Sequence, residues 1–158
     1  MTKPMTRWGI GPIWASVSII YGALALIITH VFPITQIPDE FYPMFAYVGI
    51  VLLGIGIPFF IISIKAVSKA YNAKKLVTNG VYRTCRHPLY GSWIVFIVPG
   101  IAFLSHSWLV FSVPVIMYIL LRKMVKEEEE YLIELFGEVY LKYRERIPFV
   151  CPIGWLKR

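Results

Sequence analysis

Gly80-Val81-Tyr82-Arg83-Thr84-Cys85-Arg86-His87-Pro88-Leu89-Tyr90-Gly91 and Glu127-Glu128-Glu129-Glu130 bracket about thirty mostly apolar residues with no charged side chain before Arg122. An apolar run of that length, folded back on itself, returns both polar ends to one face of a bilayer. The second stretch runs on to Phe136-Gly137 and Tyr140-Leu141-Lys142-Tyr143.

Outward from this hairpin the chain stays apolar. It is 158 residues long, 58% hydrophobic and only 16% charged, with a mean hydropathy of +0.66. A soluble domain is nearer half apolar and a quarter charged. The expectation is an all-α integral membrane protein, a single domain over residues 1–158 with about four transmembrane helices at 10–32, 41–64, 89–104 and 108–121. Interfacial and C-terminal cytoplasmic helices complete it. The first two spans meet the length of about 20 residues that a bilayer demands. The last two are short, which calls for a tight hairpin at Ser105-His106-Ser107; a buried soluble helix pair is the alternative. The first segment is too long for a signal peptide and lacks a clear cleavage site.

All sixteen basic residues fall on one side of this topology, with seven acidic ones, while Asp39 and Glu40 stand alone on the other. The positive-inside rule makes the basic side cytoplasmic, with both termini inside and several passes between. Basic residues at span ends also attract anionic head groups of the lipid bilayer. They are not gathered into an aromatic-interleaved patch, so no nucleic acid is expected. Cys85 and Cys151 both lie on the reducing side, so no disulfide is expected. No Cys/His cluster has ligand spacing, so no metal is expected either. His30 and His106 read as interface residues, and no phosphate loop or nucleotide-binding sheet is apparent.

The second span is expected to continue through 64–76 into the interface and to stop at Thr78-Asn79-Gly80. Proline suits a first helical turn and disfavours helix at the residue before it. His87 therefore belongs at a helix entrance, which by itself is no more than a helix start at a membrane boundary. Leu132, Leu135, Phe136, Val139, Tyr140 and Tyr143 keep the spacing of one helical face, with Gly137 as a bend or break. Four successive glutamates point all round a helix. Glu127 and Glu130 read as solvated, and Glu128 or Glu129 as buried and paired.

These pieces, in this order, resemble the isoprenylcysteine carboxyl methyltransferase family and the wider group of membrane phospholipid methyltransferases. The block runs over about 74–148 and includes Leu76 to Tyr82, Arg86 to Tyr90, the glutamates, Phe136-Gly137, Tyr140, Tyr143, Arg146 and Pro148. The resemblance implies S-adenosyl-L-methionine as cofactor and a lipid or small hydrophobic methyl acceptor reaching a cytoplasmic pocket from the membrane. It places Lys74, Lys75, Leu76, Val77, Tyr82, His87, Pro88, Leu89 and Tyr90 on the cofactor. Glu128 aligns best with the family's cofactor glutamate; Glu129 takes that place if the register slips by one. Arg122, Met124 and Arg146 fall on the acceptor side. Met124 stands where family members carry an arginine near the substrate carboxylate, so the acceptor stays open among carboxylate, amine and thiol.

The chemistry of these residue types suits the implied donor. Unpaired N–H groups at a helix entrance favour a carboxylate. A glutamate accepts from ribose hydroxyls or an ammonium, and tyrosine faces attract a sulfonium by about 0.5–2 kcal/mol. In-line methyl transfer needs close approach and exclusion of water. A carboxylate acceptor needs no base, whereas an amine or thiol must lose a proton. Two other readings are an NADPH-dependent oxidoreductase similar to the C-terminal part of membrane sterol reductases, and a non-catalytic membrane interaction protein.

Overall fold

A computed structural model describes residues 9–32, 35–73 and 75–150. The described residues are mostly helical and form no β-strand; one isolated bridge joins Gln36 to Ser107. α1 spans Gly11–Val31, with Pro12 in its first turn. Its 21 residues rise about 32 Å at 1.5 Å each, enough to cross the hydrocarbon. α2 spans Tyr42–Ala73, 32 residues, and carries the second apolar run on into the basic segment as expected. Only 17% of the most apolar window of α1 and 11% of that of α2 is buried. The core helix of a soluble protein would be mostly covered, so this outward apolar surface marks a membrane protein.

The other two expected spans take a different form. Helix runs from Pro88 to Leu104 as α3 (Pro88–Ser92), a π-helical turn (Trp93–Ile97) and α4 (Val98–Leu104). The π turn sits where Pro99 has no N–H and its ring would strike the carbonyl of Val95; a wider turn relieves both. These 17 residues cover only about 26 Å. Residues 108–121 are no separate helix either. A 3-10 turn at Leu109–Phe111 leads into α5, Ser112–Phe136, which passes unbroken from apolar sequence through the glutamates. Among the described residues, two helices rather than four are long and apolar enough to span.

α5 ends at Gly137, with φ 55° and ψ −132°, and α6 follows over Glu138–Arg146. The break corrects the single apolar face expected over 132–143. Tyr140 and Tyr143 turn inward to 1% and 8% exposure, while Leu135 and Val139 face outward at 55% and 63%. The physical reason is that Gly137 adopts a conformation closed to other residues and resets the helical phase. The disulfide expectation is also corrected: Cys85 is buried and disulfide-bonded, and Cys151 lies outside the described residues.

The core lies between α1, α3–α4 and α5 and includes Trp14, Tyr90, Ile94, Val113, Met117 and Leu121. α1 and α5 run side by side: the Trp14 indole N–H donates to the Met117 carbonyl at 3.0 Å, and the Tyr21 and Ser112 hydroxyls meet at 2.9 Å. α2 closes on α3–α4 through glycines. A Cβ on Gly49 would stand 2.8 Å from the Gly100 carbonyl, and one on Gly56 2.6 Å from Phe96 Cβ. Small residues allow this backbone approach where lipid supplies no hydrophobic drive between helices. At the end remote from the glutamates, the turn after α4 is tight as expected. His106 sits at φ 56°, and its carbonyl accepts from the Ile37 N–H at 3.0 Å.

Candidate functional site

At the other end, three separate pieces of chain converge. Pro88 occupies the first turn of α3, with His87 just before it in a non-helical conformation. The backbone N–H of Arg86 donates to the Pro148 carbonyl at 2.9 Å, and that of His87 to the Phe149 carbonyl at 3.2 Å. The residues after α6 are thereby strapped across the helix entrance. α6 is fastened by the Tyr143 hydroxyl, which donates to the Tyr82 carbonyl.

The four glutamates divide as their helical angles require. Glu127 and Glu130 are exposed, and Glu128 and Glu129 are half-buried on different sides of α5. Glu128 faces α1. Its Oε2 accepts from the Tyr90 hydroxyl at 3.1 Å, and a Cβ on Gly9 would lie 3.1 Å from the same oxygen. Burial pushes its carboxyl above the usual range, against the opposing pull of His87 and the Tyr90 hydrogen bond. Glu129 faces the strap. Its Oε1 receives His87 Nε2 at 3.1 Å and lies 3.2 Å from Arg86, while Oε2 lies 3.9 Å from Arg144. Burial alone would raise this carboxyl too, but the His87 hydrogen bond and the Arg86, His87 and Arg144 charges outweigh it and hold it low.

Two polar atoms in this cluster lack a partner among the described residues. The Tyr140 hydroxyl is buried near Glu129 and Arg86, and Arg86 Nε is buried as well. Buried donors are normally satisfied, so both are available to a ligand. A cavity of about 180 Å³ opens beside Arg86 and Glu129 and is lined also by Arg122, Val125, Lys126 and Phe149. Burial raises the phenols of Tyr82, Tyr140 and Tyr143, so they remain donors well above neutral pH.

Of the residues singled out from sequence, Tyr82, His87, Tyr90, Glu128 and Glu129 come together, and Pro88 and Leu89 form the buried and half-buried base. Leu76 and Val77 are half-buried and Lys75 is exposed; Lys74 lies outside the described residues. On the acceptor side, Met124 packs against the apolar core, Arg122 lines the cavity and Arg146 is exposed, with no ion pair among the described residues. Arg144 reaches Glu129 instead. Sequence reasoning also missed the roles of Phe149, Gly9 and the Tyr140 hydroxyl. A pair of tyrosines three apart on a short helix was the signal for the last.

The family model for isoprenylcysteine carboxyl methyltransferases matches residues 49–134, from α2 through the glutamates. The chain belongs to this family. Among relatives, the mouse protein-S-isoprenylcysteine O-methyltransferase is 34% identical over 85 residues, which cover 54% of this chain and 30% of the mouse protein. Form B from Arabidopsis thaliana is 32% identical over 78 residues, covering 49% of this chain and 40% of the relative. A probable protein-S-isoprenylcysteine O-methyltransferase of rice is 25% identical over 122 residues, covering 69% and 64%. The matches thus cover less than two thirds of these relatives' own length. No solved structure matches the chain. The family match contains both Arg86–Tyr90 and Glu127–Glu130 and stops before α6, so the strap and its tyrosines are features of this structure beyond the matched block.

Proposed function

We propose that this chain is an S-adenosyl-L-methionine-dependent membrane methyltransferase. Its acceptor is lipid-borne or partitions into the membrane and reaches the site at the cytoplasmic face. The observation that carries the reading is the junction of the His-Pro turn with the glutamate run, seen in the His87–Glu129 hydrogen bond at 3.1 Å. The relatives are named as methyltransferases acting on protein S-isoprenylcysteine, and a prenylcysteine carboxylate heads the candidate acceptors. The chain is one domain, passes the membrane several times and keeps both termini in the cytoplasm, as its charge asymmetry supports.

The residues present fit the cofactor. An amino acid with a ribose presents a carboxylate, an ammonium and hydroxyls. The cluster offers two unpartnered buried donors, Tyr140 Oη and Arg86 Nε, and two carboxylates. S-adenosyl-L-methionine, when bound, supplies an electrophilic methyl on a cationic sulfonium. Glu129 or Glu128 accepts from its polar groups, with Glu129 favoured because it meets His87 at the helix entrance while Glu128 is turned towards Gly9. Tyr82, Tyr90 and His87 with Leu76, Val77, Pro88 and Leu89 form the wall, with the exposed Lys75 beside Leu76 in sequence; the resemblance adds Lys74, which lies outside the described residues. The strap through Pro148 and Phe149 excludes water, which strengthens every polar contact inside.

Isothermal titration in neutral detergent, with S-adenosylhomocysteine and with NADPH, tests the reading. Binding of the first alone is expected, and binding of NADPH alone would overturn it. Labelled methyl transfer into a total lipid extract, a prenylcysteine analogue and small thiols then identifies the acceptor.

A further inference from the structure

The cavity beside Glu129 carries more positive charge than the cluster uses. Arg86, Arg122 and Lys126 all line it, and its one carboxylate, Glu129, is already engaged by Arg86, His87 and Arg144. Arg122 and Lys126 form no ion pair among the described residues. They stand four apart on α5, a spacing at which like charges repel. The ring of Phe149 is shared by the two arginines, 5.7 Å from the Arg86 guanidinium and 5.2 Å from that of Arg122. It thus gives each a cation–π contact. Two elements therefore bring three cations to one cavity, the half-buried Arg86 and the exposed Arg122 and Lys126.

Size and depth identify what would neutralise them. A volume of about 180 Å³ is below the roughly 300–1,000 Å³ of pockets for whole cofactors or drug-sized ligands, and suits a single head group. Depth follows from the pairing of α1 with α5. Gly9 lies against Glu128 and Trp14 is bonded to Met117, so Arg122 stands level with the first turn of α1. Since α1 is just long enough to span, that turn marks the edge of the hydrocarbon, where lipid phosphates lie. A tetrahedral oxyanion presents oxygens to three donors at once, and arginine forks suit it.

We propose that this cavity binds a phosphate group, carried by an anionic phospholipid of the leaflet on the Arg122 side. The site is separate from the cofactor residues except for its shared wall at Arg86 and Glu129. A lipid seated there would brace the strap over the helix entrance. The proposal rests on the membrane placement and not on methyl transfer.

The test follows the thermal midpoint of the full chain in neutral detergent, titrated with short-chain phosphatidylglycerol and separately with inorganic phosphate. Phosphatidylglycerol is expected to raise the midpoint. Arg122→Gln and Lys126→Gln should each raise its half-saturating concentration about tenfold, the effect of losing one charged hydrogen-bond partner. Lys123→Gln and Lys142→Gln, which remove equal charge from positions exposed like Arg122 and Lys126 but outside the cavity lining, should leave it unchanged. If Arg122→Gln fails to fold, Lys126→Gln carries the same comparison. A response to phosphatidylglycerol with this pattern supports the lipid site. The same pattern with inorganic phosphate alone overturns the lipid carrier. No response to either probe, or equal losses in the control variants, overturns the site. S-adenosylhomocysteine binding, read on the same samples, keeps this outcome distinct from that of the proposed function.

Discussion

Glu128 and Glu129 are adjacent, yet their surroundings push their carboxyls in opposite directions. The consequences for stability have opposite signs. The Glu129 carboxyl is held below its ordinary value of 4.5, so its contribution is complete above that pH and is lost as pH falls through its lowered value. The Glu128 carboxyl is raised by burial from the same 4.5, so the folded state prefers it protonated and loses stability as pH rises above that value. Glu129→Gln should therefore lower stability at pH 7 by about 1–3 kcal/mol, because Arg86, His87 and Arg144 lose their shared acceptor. It should also weaken S-adenosylhomocysteine binding. Glu128→Gln should hold or raise stability at pH 7, since an amide oxygen still accepts from Tyr90 without a buried charge. Thermal unfolding in detergent from pH 4 to 8 separates the two. A larger loss at pH 7 for Glu128→Gln would reverse the assignment.

The cluster depends on how α5 ends and α6 begins. Gly137 holds φ 55° and ψ −132°, and a Cβ there would meet nothing within 4 Å. Any cost of Gly137→Ala is thus backbone strain rather than collision, about 1–3 kcal/mol. That strain would be relieved by rotating α6 and withdrawing Tyr140 and Tyr143. The expected result is a loss of S-adenosylhomocysteine affinity larger than the loss of thermal stability implies, measured by titration beside unfolding on the same preparation. Periodicity could show that 132–143 is amphipathic, and Gly137 was visible as a possible break. Periodicity could not show which side each half would bury, because a phase reset at one residue leaves the apolar spacing on both sides intact. For the same reason, residues 108–121 read as a span of their own although no backbone signal separates them from the glutamates.

Across the molecule, polar residues gather at the two ends of an apolar bundle. Asp39 and His106 stand 3.4 Å apart at one end, and the Arg86–Glu129 cluster occupies the other. If the positive-inside reading holds, an impermeant thiol reagent should label Asp39→Cys in sealed right-side-out membranes and label Lys142→Cys only after permeabilisation. Labelling of both without permeabilisation would overturn the topology. Membrane character, helical class and family membership were legible in composition, apolar run lengths and the order of two polar motifs, because a bilayer constrains length and charge directly along the chain. The helix entrance at His87-Pro88 was legible too, since proline acts on its immediate neighbours. Only tertiary structure decided which glutamate faces the cavity, that Arg144 rather than Arg146 reaches Glu129, and that Phe149 contacts two arginines. Those outcomes depend on the rotation of α5 against α1 and on a strap joined to the helix entrance across more than sixty residues of sequence. Contacts of that range are set by packing, and local sequence pattern carries no record of them.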